Sequence, residues 1–131
     1  MGVMKQRMTP PRIASHFILL VLLAVSGTLA ADQGNHDDNP PPPPPSSNAI
    51  VKLKWNLSPT AGIKAYKVYR RANLTIAPAL LGAVPGTTIQ TFDTVTGASH
   101  GQKIFYSVSA QDSSTPPRES PRSNEVMVTI P

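Results

Sequence analysis

Residues 50–71 read IVKLKWNLSPTAGIKAYKVYRR and contain the only tryptophan of the chain. In the first half, large apolar residues alternate with lysine and asparagine, which is the period-two pattern of a β-strand with one buried face. These apolar positions are Val51, Leu53, Trp55 and Leu57. A turn-forming segment, SPTAG at 58–62, follows, and the next run, at 63–71, carries Tyr66 and Val68 as large residues. The stretch therefore predicts two β-strands joined by a turn.

The rest of the chain after residue 72 continues in short runs of the same kind. Further strands are predicted at 80–84, 88–95, 103–111 and 124–130, and no run has a helical period. Pro85-Gly86 is a turn signal in which glycine is expected to adopt positive φ. The predicted core residues are Leu53, Trp55, Tyr66, Val68, Phe92, Tyr106, Val108, Val126 and Val128. Five to seven short strands with regular turns favour an all-β sandwich or small barrel.

The N-terminal third has a different character. Residues 1–30 combine basic residues with a short apolar run and small residues before Ala31, which predicts a cleaved signal peptide. The alternative is an uncleaved membrane anchor. Residues 31–48 are polar and contain six consecutive prolines, so they are expected to form a disordered, proline-rich linker. Residues 49–131 then form the one folded domain, and the protein is expected to be secreted or extracytoplasmic.

Composition limits the chemistry. There is no cysteine, so packing without disulfides must hold the domain together. The residues after the prolines include nine lysines and arginines and four acidic residues, so the net charge of this part is positive. It has no concentrated basic element of the kind found in nucleic-acid-binding proteins. We therefore expect no nucleic-acid binding. Membrane binding is expected only if the N-terminal segment is not cleaved.

In their order and spacing, five segments resemble a fibronectin type III domain of the kind appended to many secreted bacterial proteins. They are LKWNLSP around Trp55, AGIKAYKVYRR, TIQTFD, FYSVSAQD and SNEVMVTIP. The resemblance implies an immunoglobulin-like β-sandwich with Trp55 between the sheets. The prolines end just before the Trp55 strand, so the family's first strand, A, is expected to be short or missing. That would leave an edge where a partner strand could add, unless Lys52 and Lys54 discourage it.

The resemblance implies a non-catalytic module for adhesion or protein–protein interaction, without cofactor or metal. Cations and aromatic residues that could contact a protein or polysaccharide at the cell surface are Lys64, Lys67, Tyr69, Arg71 and Phe105. A carbohydrate-binding accessory domain that stacks sugars on Tyr69 and Phe105 is the alternative, and a spacer on a membrane anchor is another. Ser99 or Ser107 with His100 and Asp93 could be drawn as a catalytic set, but nothing resembles a nucleophile elbow.

Overall fold

The computed structural model describes residues 19–24 and 47–131, and these form seven antiparallel β-strands in two sheets. One sheet has three strands in the order β1-β2-β5, and the other has four in the order β4-β3-β6-β7. The strands are β1 (Leu19–Ala24), β2 (Ser47–Trp55), β3 (Ile63–Arg71), β4 (Ala79–Pro85), β5 (Gln90–Ala98), β6 (Lys103–Asp112) and β7 (Val126–Thr129). The predicted all-β sandwich is confirmed.

One apolar layer joins the two sheets. Trp55 at the end of β2 is 1% exposed, and its ring lies 5.6 Å from that of Tyr66 on β3, centroid to centroid. The apolar side chains of the predicted alternation therefore point inward from both sheets. The other predicted core residues on these strands and on β6 and β7 are buried, with Val126 partly so: Leu53, Val68, Tyr106, Val108, Val126 and Val128.

Phe92 corrects the predicted core, because its side chain is 59% exposed. In the β2–β5 ladder Phe92 lies opposite Lys52, and Asp93 lies opposite Val51. Residues directly opposite each other in a ladder lie on the same face of the sheet. Asp93 therefore lies on the core face with Val51, and Phe92 points outward with Lys52. The Lys52 ammonium lies 5.7 Å from the centre of the Phe92 ring.

Asp93 is accommodated in the core by partners from the opposite sheet. It is 5% exposed and accepts hydrogen bonds from Arg70 at 2.9 and 3.2 Å and from the Tyr106 hydroxyl at 2.7 Å. Arg70 and Tyr106 are directly paired across β3 and β6, so both reach inward at the same level. Burial, and then the bond to Asp93, raise the pKa of Tyr106 far above its usual value. The sheets are thus joined by a polar bridge as well as by apolar packing.

The edge of the three-stranded sheet beside β2, where strand A was expected to be short or missing, holds a strand. Ser47 and Asn48 belong to β2, and the place beside β2 is taken by the six-residue β1. This strand comes from the apolar run of the predicted signal peptide. The rest of that segment and residues 31–46 of the predicted linker lie outside the described residues.

The predicted turn after β4 is present but is built differently. The positive-φ glycines of the described chain are Gly62, Gly97 and Gly101, so Gly86 does not need that conformation. Instead, Gly86 donates its N–H to the carbonyl of Lys64, and a Cβ at this position would lie only 2.1 Å from the carbonyl oxygen of Ile63. Close backbone approach is what requires glycine here.

Candidate interaction surface

The four-stranded sheet has an outer face, directed away from the core, that carries most of the predicted interaction residues. Lys67, Tyr69 and Arg71 alternate on β3 with the core residues Tyr66 and Val68. Their partners across the ladder are Ser109, Ser107 and Phe105, and Phe105 in turn pairs with Met127 on β7. Lys64 is outside this row: it is exposed and lies in the bulge between Ile63 and Ala65.

The cations of the outer face are neutralised by two glutamates that the sequence analysis did not single out. Lys67 donates to Glu119 at 2.7 Å, and Arg71 forms an ion pair with Glu125. Glu119 also accepts from Ser109 at 2.6 Å and from the hydroxyl of Tyr69. Two of the predicted contact residues, Lys67 and Arg71, are therefore in ion pairs.

The loop between β6 and β7 places Glu119 over the sheet. Asp112, at the end of β6, accepts from the backbone N–H groups of Ser114 and Arg118 and forms an ion pair with the Arg118 guanidinium. Ser120 then donates its backbone N–H to the carbonyl of Ala110. These bonds hold the loop against β6 on both sides of Glu119, whose side chain can then reach Lys67 and Tyr69.

The bonds at Glu119 change its acidity. Burial by itself would raise the pKa of Glu119, but the hydrogen bonds donated by Lys67, Ser109 and Tyr69 outweigh it and lower the pKa from the usual 4.5 to about 2. The Glu119 bond likewise raises the pKa of Lys67. The cluster is therefore most stable with Glu119 ionised and Lys67 protonated.

We expect the folded protein to lose stability as the pH falls from 4.5 towards 2 by more than the Glu119→Gln variant does. The pKa of Glu119 is lower in the folded chain than in the unfolded chain, so ionised Glu119 stabilises the fold above the unfolded value, and protonation removes this contribution. Urea unfolding at a series of pH values measures the difference. Parallel pH profiles for the two proteins would contradict it. The other carboxylates are common to both proteins and cancel in the comparison.

Both predicted aromatic contact residues are covered on one side by a guanidinium group. Arg122 lies over the ring of Tyr69 at 5.3 Å from its centre, and Arg71 lies over that of Phe105 at 5.7 Å. Both side chains are only partly exposed. Each of the two rings therefore already holds a cation–π contact with a neighbouring arginine.

An open groove lies at one end of the outer face. It has a volume of about 600 Å³ and is lined by Ala72, Leu74, Gln102, Lys103, Phe105 and Met127, among others. Leu74 is 63% and Met127 is 49% exposed, so its walls are apolar side chains in contact with solvent. We call this feature the outer groove. Met127 could have been predicted from its alternation with Val126 and Val128, whereas Leu74 lies in an irregular segment without such a signal.

The residues of the hypothetical catalytic set have other positions and partners. Both carboxylate oxygens of Asp93 are engaged by Arg70 or Tyr106, and Ser107 is buried on the outer side of β6. Ser99 and His100 are exposed in the turn before β6. Within residues 19–24 and 47–131 there is no group of three or more His, Cys, Asp or Glu side chains able to hold a metal ion. None of the described residues forms a helix that is long and apolar enough to cross a membrane.

No protein-family model and no curated protein matches the sequence. Among solved structures, the chain is similar to the crystal structure of a Fn3-like protein from Clostridium thermocellum, with 27% sequence identity and a TM-score of 0.45. The similarity covers 60% of this chain and 73% of the other.

Proposed function

We propose that this protein is a non-catalytic interaction module that binds another protein through the outer groove. The observation that carries the proposal is the exposure of Leu74 and Met127 beside Phe105 in a concave, apolar site. Exposed apolar side chains gathered in one groove are typical of protein–protein contact sites. The groove is open and shallow, which fits an apolar side chain of a partner better than an enclosed small molecule.

The charges around the outer groove indicate what kind of partner surface would fit. Arg71 is paired with Glu125, whereas Lys103 is exposed at the edge of the groove. The domain as a whole carries nine basic and four acidic side chains. An apolar anchor residue with an acidic neighbour would therefore complement both the groove and its rim.

Placing a photo-crosslinking amino acid at Met127 tests the proposal in the cells that make the protein. We expect a defined partner to be captured from Met127 and not from Leu57, which is 58% exposed but lies outside the groove. The identified partner should then bind Met127→Asp at least about tenfold more weakly than the unchanged protein, since a charge replaces an apolar anchor. Leu57→Asp is the matched control. Equal capture from both positions, or unchanged binding by Met127→Asp, would refute the proposal.

The export of the protein is a second part of the proposal and rests on the sequence of residues 1–30. A basic start, an apolar run and small residues before Ala31 support cleavage and release outside the cytoplasm. We expect the protein recovered from the extracytoplasmic fraction to have the intact mass of a chain that begins at Ala31 or Asp32. A full-length mass in membranes would instead mean that the segment is an anchor and that the prolines form a stalk.

A further inference from the structure

The outer edge of β2 is occupied by a strand from the predicted signal peptide. Six consecutive residues of β1 pair with β2, from Leu19 opposite Trp55 to Ala24 opposite Ile50. On its other side β2 pairs with β5 over most of its length. The strand that carries the core residues Val51, Leu53 and Trp55 is therefore central in its sheet only because β1 is present.

Without β1, β2 would be the edge strand of a two-stranded sheet. Its backbone N–H and C=O groups on that side would lose their partners, and such a row of unpaired groups is a template for another strand. The inner side chains of β2 beside this edge, Val51, Leu53 and Trp55, are at most 1% exposed in the structure. The site therefore favours a replacement strand rather than water.

Lys52 and Lys54 do not prevent pairing at this edge. In the ladder they lie opposite Leu22 and Leu20 of β1, so an uncharged strand is accepted directly beside both lysines. The Lys52 ammonium extends over the ring of Phe92, on the opposite side of β2 from β1. The alternative that these lysines discourage strand pairing therefore does not hold for β1.

We propose that the outer edge of β2 is a strand-acceptor site, and that after processing it binds an extended, uncharged apolar segment of a partner protein in the antiparallel orientation. The inference rests on the proposed cleavage before Ala31, which would detach β1 from the chain that contains β2. The sequence LLVLLA of β1 indicates the kind of partner segment that would bind: about six residues without charge and without proline. This site lies on the three-stranded sheet and is separate from the outer groove.

The test uses the full chain with a specific protease site inserted between Ala30 and Ala31. After cutting, a fluorescent peptide with the sequence of residues 18–25 and added lysines for solubility is titrated into the protein. We expect the peptide to displace the N-terminal piece and to protect the amide hydrogens of Ile50, Lys52 and Lys54, which face β1, from exchange, with no change in β4. A control peptide with Leu22→Pro should bind at least about tenfold more weakly, because Leu22 lies opposite Lys52 and proline there removes a ladder hydrogen bond.

Each other result has a definite meaning. If cutting unfolds the domain and the peptide restores the native emission of Trp55, the acceptor site is supported. Absence of binding by a folded domain, unfolding that the peptide does not reverse, protection at β4 instead of β2, or an N-terminal piece that never exchanges would each overturn it. Dimerisation with protection at residues 50–55 would overturn it in favour of a second copy of the chain. Because the cut is made in vitro, these results do not depend on natural processing or on the outer groove.

Discussion

Replacing Trp55 by alanine should lower the free energy of unfolding by about 3–5 kcal/mol, the usual cost of truncating a large buried aromatic residue. Trp55 fills the space between the sheets and contacts Tyr66, and its side chain is 1% exposed. A domain of this size has a total stability of roughly 4–12 kcal/mol, so the variant would be partly or wholly unfolded. Urea unfolding followed by far-UV circular dichroism measures the loss without relying on tryptophan fluorescence.

Two further variants separate packing from other effects of changing Trp55. Trp55→Phe should be much less destabilising than Trp55→Ala, because the indole N–H has no hydrogen-bond partner among the described residues and removing it breaks no bond. Leu57→Ala, two residues later and 58% exposed, should change stability by less than about 0.5 kcal/mol. A loss below about 1 kcal/mol for Trp55→Ala would show that the core does not depend on this residue.

Replacing Asp93 by alanine should cost about 2–4 kcal/mol, because the buried Tyr106 hydroxyl and the Arg70 guanidinium lose their common acceptor. The cost is below that of breaking a fully buried ion pair, since the Arg70 side chain is 39% exposed and can turn to water. Tyr106→Phe should cost less, about 1–2 kcal/mol, because Asp93 keeps its bonds to Arg70. Denaturant unfolding of both variants and of the double variant measures these effects.

The double variant gives the sharper test of the bridge. If Asp93 and Tyr106 act through one hydrogen bond, the combined loss should be smaller than the sum of the two separate losses. Thr94→Ala is the matched control, because Thr94 is the exposed neighbour of Asp93 on β5. Additive losses, or a change in Asp93→Ala no larger than in Thr94→Ala, would mean that the bridge does not stabilise the sandwich.

Most of the fold could be predicted from local patterns. The strands predicted at 63–71 and 103–111 are β3 (Ile63–Arg71) and β6 (Lys103–Asp112), and the predicted short strand at 80–84 is β4 (Ala79–Pro85). In these segments the period-two alternation is unbroken or the turn residues are clear. The Trp55 strand is shifted towards the N-terminus and ends before Leu57, since residues 56–62 leave the sheet to reach β3.

The candidate surface was only partly predictable. The row of Lys67, Tyr69 and Arg71 follows from alternation on one strand, and the outward direction of Met127 follows in the same way. The ion-pair partners of this row could not be predicted from alternation, because Glu119 and Glu125 lie 52 and 54 residues away from Lys67 and Arg71 in the sequence. A loop built around Asp112 brings Glu119 back over the sheet, and no local pattern encodes that return.

The sequence by itself determined which segments are strands and which side chains point to the same face, because both depend on near neighbours along the chain. The tertiary structure decided which face of β5 is inside. Hydrophobicity favours Phe92 as the buried residue, but pairing with β2 sets the register and turns Asp93 inward. The core accepts that carboxylate because Arg70 and Tyr106 meet it from the other sheet. A buried charge is stable only with such partners, and only folding brings them together.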